Sequence, residues 1–295
     1  MKALLPFLIT IASVLHGKVQ IQQFTILLAE DIGRDWISCY GAEHATPNID
    51  ALASQSIRFE TAWSMPDATL SKASLLTGQY PGSEAKSPTL PSLLGDKFQL
   101  INIPREGSDF PAYVDKMDAT VGKFAQSLEG TGNILLFTST NGSAAPGKLN
   151  GKPFPSGKGT NADIGVHVPF LLHAPAFIKD GRVSKDLVDF TDIYPTFLEL
   201  AGLPLPSIPQ PAGKSLLPIL QGSDDPFDKR NWIYARTGNF QMVRDWHHIV
   251  DTNGAFHALA NDPLQEKKVR VQDKQAPHRQ ERLQMILHRF AGSKE

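Results

Sequence analysis

The chain has 295 residues, with 29 Lys and Arg against 30 Asp and Glu, for a formal charge of −1. Hydrophobic residues at 41% and charged residues at 20% describe a globular chain and exclude a disordered one, while the balanced charge gives no electrostatic footprint for nucleic acid. A single cysteine, Cys39, excludes an intramolecular disulfide and a thiolate zinc cluster.

Residues 1–17 open with Lys2 and continue as an uncharged, apolar run over 3–15, too short to span a bilayer. This pattern predicts an export leader with Gly17 near its cleavage point, the alternative being a buried first strand or helix. No other apolar run approaches the roughly 20 residues of a transmembrane helix, so the mature chain is expected to be exported, periplasmic or extracellular, with no membrane span. Phe24–Ala29 is a short apolar strand running directly into Glu30 and Asp31, which suits a parallel sheet covered on both faces with its chemistry at the carboxyl edge. Thr46 before Pro47 starts a helix, Ile57–Trp63 reads as a strand, and 70–77 as a helix ended by Gly78. Val114, Met117, Val121, Phe124 and Leu128 recur at helical spacing, a core-facing stripe. Segments 133–139 and 168–174 are further buried strands, and 190–201 is a helix closed by Gly202.

The stretch 204–231 is rich in Pro, Gly, Ser and Asp and reads as a connection with one short helical piece, SLLPIL. Beyond it, short runs at 232–235, Phe240–Arg244, 247–250 and 256–259 alternate with turn residues and predict antiparallel hairpins. A helix over 279–290 closes the chain, with Leu283, Ile286, Leu287 and Phe290 on one side. The expected organisation is a leader at 1–17, an α/β domain at 18–222 and a small α+β subdomain at 223–295.

The stretch FTILLAEDIGRDWISCYGAEHATPNIDALASQSIRF at 24–59 closely resembles the opening of the sulfatases, members of the alkaline-phosphatase-like superfamily. SLLTGQYP at 74–81, FTSTNG at 137–142, SGKGTNADIGVHVPFLLHAP at 156–175, FTDIYPTFLELAGLP at 190–204, KSLLPILQG at 214–222 and FHALANDPLQE at 256–266 continue the resemblance in family order. It implies a three-layer αβα sandwich of alkaline-phosphatase-like type, with a small C-terminal antiparallel β subdomain and a closing helix.

The resemblance also implies a site. A sulfatase uses Ca²⁺ or Mg²⁺ on hard oxygen ligands, a formylglycine nucleophile made from Cys or Ser, and cations around the sulfate oxygens. Glu30 and Asp31 match the first acidic metal pair, with Glu in place of the usual Asp, and Asn141 matches the amide ligand. Thr140 stands where the family has a third Asp, so the cation's cage loses a charge and its affinity falls or vanishes. Counted from one side the nucleophile position is Ala68, and from the other Thr69; neither can become formylglycine. Thr69 would either serve as an unmodified nucleophile or cap its helix. Lys72 replaces the signature arginine and loses its bidentate fork, while Lys158 matches the sulfate-contacting lysine. Asp163 replaces a family Glu, His167 replaces an Arg, and His173 reads as a strand-end residue. Between Pro81 and Pro111, where sulfatases carry pocket histidines, this chain has SPTLPSLLGDKFQLINIPREGSDF and no histidine.

Three readings follow. The chain is a sulfatase by descent with weak or no activity, a non-catalytic binder of a sulfated or anionic glycan, or a metal-dependent phosphoesterase using Thr69.

Overall fold

A computed structural model describes residues 21, 23–83, 87–259, 264–265 and 276–290. The leader expected at 1–17 lies outside them. The main sheet is built from β1 (Phe24–Ala29), β2 (Ile57–Trp63), β3 (Phe98–Ile103) and β4 (Ile134–Ser139), together with two later strands. A small hairpin, β5 (Gly147–Leu149) and β6 (Lys152–Phe154), intervenes before β7 (Phe170–His173) and β8 (Arg182–Asp189) complete the main sheet. Its order is β3-β1-β4-β7-β2-β8. The pairs β1–β3, β1–β4 and β2–β8 are parallel, but β7 runs antiparallel to both β4 and β2. The parallel sheet expected from the apolar strands is therefore mixed. A strand buried on both faces is apolar whichever way it runs, so composition carries no direction.

Helices cover both faces. Alternate residues of β1 separate: Phe24, Ile26 and Leu28 enter a core with Leu136, Phe170 and Leu172, while Leu27 and Ala29 face the opposite side with Leu135, Phe137 and Leu171. The second face is closed by α1 (Pro47–Ala53) and, later in the chain, α4 (Phe110–Ser127), whose Val114, Met117 and Val121 are fully buried. The first face is closed by α2 (Ala68–Thr77) and α3 (Leu90–Leu94), which precede α4. Beyond α4 lie the single turn α5 (Asp163–Val166), then α6 (Ile193–Leu200) and α7 (Leu217–Leu220), the last two completing that layer.

Two strands of the main sheet, and the small β5–β6 hairpin, are absent from the sequence expectations. β3 occupies 98–103, inside the interval that the family resemblance presents as a gap, and β8 follows at 182–189. Both are edge strands with exposed positions, so neither carries an uninterrupted apolar run.

The C-terminal sheet is antiparallel, in order β12-β11-β10-β9, from β9 (Ile233–Thr237), β10 (Phe240–Arg244), β11 (His248–Asp251) and β12 (Phe256–Ala258). The closing helix α8 (Ala276–Arg289) buries Leu283, Ile286 and Leu287 against it. The same core takes in Trp63, Met65, Tyr80 and Val166 from the main domain, so the two sheets share apolar side chains.

Arg230 fixes that junction. Its Nε donates to both Asp192 oxygens at 2.7 and 2.8 Å, and its Nη2 donates to Thr191 Oγ1 at 2.9 Å. Tyr80 Oη donates to Asp189 Oδ2 at 2.5 Å. Burial pushes the Asp192 carboxyl up to about 6 against the opposing pull of Arg230. Removing one member of such a buried network strands the remaining charges. Arg230→Met is expected to lower unfolding free energy by about 3–5 kcal/mol in a denaturant titration; a change within 0.5 kcal/mol, the ordinary surface value of about that size, would contradict the assignment.

Candidate functional site

The carboxyl ends of β1 and β4 lie side by side, with Ala29 paired to Ser139, so the residues that follow them meet at one edge of the sheet. Thr140 N–H closes the turn on the Ala29 carbonyl at 2.9 Å. Asp31 adopts a left-handed backbone, φ +60°, unusual for a residue with a side chain. The conformation turns its carboxylate into the edge, where it is 6% exposed.

Three groups converge on that carboxylate. Lys158 Nζ donates to Oδ2 at 2.5 Å, Arg105 Nε donates to the same oxygen at 2.9 Å, and Asn141 Nδ2 donates to Oδ1 at 3.1 Å. Burial alone would raise the Asp31 pKa, but the hydrogen bonds from Lys158, Asn141 and Arg105 outweigh it and hold the carboxyl below its ordinary value. The Asn141 amide is itself oriented, since its Oδ1 accepts from Thr140 Oγ1 at 2.9 Å. Glu30 is less enclosed, its side chain one-third exposed, and Lys72 Nζ stands 3.9 Å from its Oε1. Its backbone is pinned from α4, where Tyr113 Oη donates to the Glu30 carbonyl at 2.6 Å.

Glu30, Asp31, Asn141, Lys72 and Lys158 therefore share one edge. Thr69 is exposed on the first turn of α2 and makes no hydrogen bond to Glu30, Asp31 or Asn141. It is not the helix cap either: Asp67 caps α2, its Oδ1 accepting from the backbone N–H of Thr69 at 2.8 Å and of Leu70 at 3.1 Å. Asp precedes the helix and satisfies its first orphan donors, which leaves Thr69 inside the first turn. Ser71, on the neighbouring face of α2, ties the helix to the edge by donating to the Thr140 carbonyl at 2.7 Å.

The family's divalent cation can be tested against these donors. Asp31 Oδ2 is taken by two protein cations, Asn141 presents its amide nitrogen to Asp31, and Glu30 faces Lys72. Among the described residues no group of three or more His, Cys, Asp or Glu side chains is placed to hold a metal ion. Lys158 and Arg105 together bring the two positive charges that a divalent cation would bring, so the donor set as built does not fit one.

Arg105 was not legible as a site residue. It follows β3, and only a reading of FQLINI as a strand would have brought it to the carboxyl edge. Asp163 and His167 serve elsewhere. Asp163 accepts from Trp63 Nε1 at 2.8 Å and from Arg244 Nη1 at 2.6 Å, and His167 lies between Asp163 Oδ2 and the Glu60 carbonyl. Burial would raise the Asp163 pKa, but Arg244 and His167 hold it well below the ordinary value. This cluster joins β2, α5 and β10, and it is structural. His173 ends β7, as expected, with Nδ1 3.0 Å from the Gln55 carbonyl. Cys39 packs beside the second-face core, where burial pushes its thiol up to about 12, far from a nucleophile's range.

The fold and this edge define a class first: a mixed α/β sheet layered between helices, with acidic strand ends, of the alkaline-phosphatase-like type. The sulfatase family pattern matches residues 109–203, and that of the N-sulphoglucosamine sulphohydrolase C-terminal region matches 161–288. The chain belongs to the sulfatase family. An ulvan-active sulfatase of Formosa agariphila is 44% identical over 88 residues, 30% of this chain and 17% of that one. The steryl-sulfatase of Mus musculus is 31% identical over 161 residues, 50% of this chain and 26% of that one. The matched stretches thus span less than a third of either relative. Among solved structures, a 2-O GAG sulfatase superposes with a TM-score of 0.74 at 16% identity, over 93% of each chain. The phosphonate monoester hydrolase of Agrobacterium radiobacter superposes at 0.72 with 15% identity, over 92% of this chain and 96% of that one. At such identity the structural likeness carries the fold alone.

Two outcomes follow from the site. Millimolar Ca²⁺ or Mg²⁺ should stabilise the wild-type chain by less than about 0.4 kcal/mol, the gain when free ligand equals Kd. The Arg105→Ala/Lys158→Ala double variant, with Asp31 uncovered, should respond more in the same melting experiment. The second concerns Asp35, whose Oδ2 is buried without a partner while Oδ1 accepts from Ser143 Oγ at 2.8 Å. Burial raises its pKa to about 6, so the folded state holds this proton more tightly than the unfolded chain. Stability from this group is full below its unfolded pKa and is lost as pH rises toward 6. Asp35→Asn does not titrate there, so its stability relative to wild type should rise by up to about 3 kcal/mol between pH 4 and 7. A flat difference would show that Asp35 titrates normally.

Proposed function

We propose that this chain is a sulfatase-family protein that holds a sulfated or otherwise anionic glycan at the Lys72–Arg105–Lys158 edge with little or no hydrolysis. The observation that carries this reading is the double engagement of Asp31 Oδ2 by Lys158 and Arg105. Three cations against the two carboxylates Glu30 and Asp31 leave one net positive charge at an accessible edge. Lys158 is about half exposed and Arg105 about one-third, so both retain donors for an incoming oxyanion. The nucleophile is the missing element. Ala68 has no reactive group, and Thr69, exposed on the first turn of α2, makes no hydrogen bond to Glu30, Asp31 or Asn141.

The likeness to an ulvan-active sulfatase and to a GAG sulfatase supports a sulfated glycan as the partner class. Among the described residues no helix is long and apolar enough to cross a membrane. Export through the leader at 1–17 belongs to the same reading, because sulfated polysaccharides of that kind lie outside the cell; amino-terminal sequencing of secreted protein tests it.

Hydrolysis of an aryl sulfate and an aryl phosphate, with and without Ca²⁺, Mg²⁺ or Zn²⁺, separates the readings. The expected result is no turnover together with saturable binding of a sulfated polysaccharide, weakened at least about tenfold in Lys158→Ala. Sulfatase turnover that disappears in Glu30→Ala would overturn the proposal. Phosphatase turnover lost in Thr69→Ala would replace it with the phosphoesterase reading.

A further inference from the structure

A second cleft, of about 440 Å³, lies between the turn after β1 and strand β2. Its walls include Arg34, Tyr40, Arg58, Glu60, Thr61 and Asn150, and none of the edge residues Glu30, Asp31, Lys72 or Lys158. Two arginines and one carboxylate-bearing residue, Glu60, thus line one cleft.

Neither guanidinium is fully matched among the described residues. Arg34 Nε is buried with no hydrogen-bond partner. Of the nearest acids, Asp163 is engaged by Arg244 and His167, while Asp35 takes Ser143 on one oxygen and makes no hydrogen bond to Arg34 with the other. Burial pushes the Arg34 guanidinium below its ordinary value, against the pull of Asp163 and Asp35. Arg58 lies over the Tyr40 ring at 4.8 Å, and its Nη2 is 3.9 Å from Glu60 Oε1, too long for a hydrogen bond. Tyr40 Oη is itself occupied, within 3.1 Å of the Phe59 and Phe170 carbonyls. A buried donor left unpaired costs free energy, and a charged one costs more. The unpaired donor belongs to a residue in the wall of an open cleft.

We infer that this cleft binds a tetrahedral oxyanion, sulfate or phosphate, between the guanidinium groups of Arg34 and Arg58. A tetrahedral oxyanion offers several acceptor oxygens, matches the fork of an arginine, and supplies the negative charge that Glu60 alone does not. Thr61, in the same wall, carries a hydroxyl of the kind that can donate to such an ion. This inference does not depend on binding at the Lys158 edge, because the two sites share no residue.

Equilibrium dialysis against labelled inorganic sulfate, at constant ionic strength in chloride, tests it on the full chain. Wild type and Lys158→Ala are each compared with and without Arg34→Met. In both backgrounds Arg34→Met should remove one saturable site or weaken it at least about tenfold, with melting temperature maintained because the lost donor had no partner. Arg58→Gln repeats the test from β2 should Arg34→Met fail to fold. Unchanged binding in these variants, or sulfate binding abolished by Lys158→Ala alone, would overturn the inference. Competition by inorganic phosphate supports a site for tetrahedral oxyanions in general. Displacement of the label by a sulfated monosaccharide identifies an ester-borne group as ligand, and failure of that displacement identifies the free ion.

Discussion

The Asp31 carboxylate is the interaction on which the functional edge depends. It is buried, charged and fixed in a left-handed backbone, and it draws one group from each of three other segments. Asn141 comes from the turn after β4, Arg105 from the connection after β3, and Lys158 from the loop before α5. A lone carboxylate in that position would be expensive, and its neighbours exist to offset it. The strand ends, the β3 connection and the 156–162 loop are consequently held in register by one charge.

The same constraint bears on chemistry. In a sulfatase the acidic edge is built around a divalent cation, whereas here the acid closest to the core is satisfied by two protein cations. A metal would have to displace the Lys158 and Arg105 contacts while gaining only a carboxylate, a more distant Glu30 and an amide. Thr140, in place of a third carboxylate, spends its hydroxyl orienting Asn141. The proposed role, holding an anion without attacking it, rests on this organisation of the edge.

Elsewhere the charged residues serve the architecture. Asp163 and Arg244 join the main sheet to the C-terminal one, and Arg230 with Asp189 and Asp192 makes a second junction across the same boundary. Both networks lie beside the apolar core shared by Trp63, Tyr80 and the C-terminal strands. Arg34 and Arg58 are the departure from this pattern. They line a cleft in which neither closes on a carboxylate at hydrogen-bond distance, which sets them apart from arginines that do so at 2.6 Å.

Much was legible in the sequence. The apolar runs at 24–29 and 134–139, the stripe along α4 and the leucines of α8 determined the layers, because burial periodicity depends on local side-chain order alone. The colinear motifs marked Glu30, Asp31, Asn141, Lys72 and Lys158 as neighbours, and the absence of Cys and Ser at 68 and 69 was plain from identity. Strand direction, the edge strand β3, the capping of α2 by Asp67 and the arrival of Arg105 at Asp31 were decided only in three dimensions. Each depends on which segments lie next to one another, and a contact across 74 residues, such as Arg105 with Asp31, leaves no periodic trace in either segment.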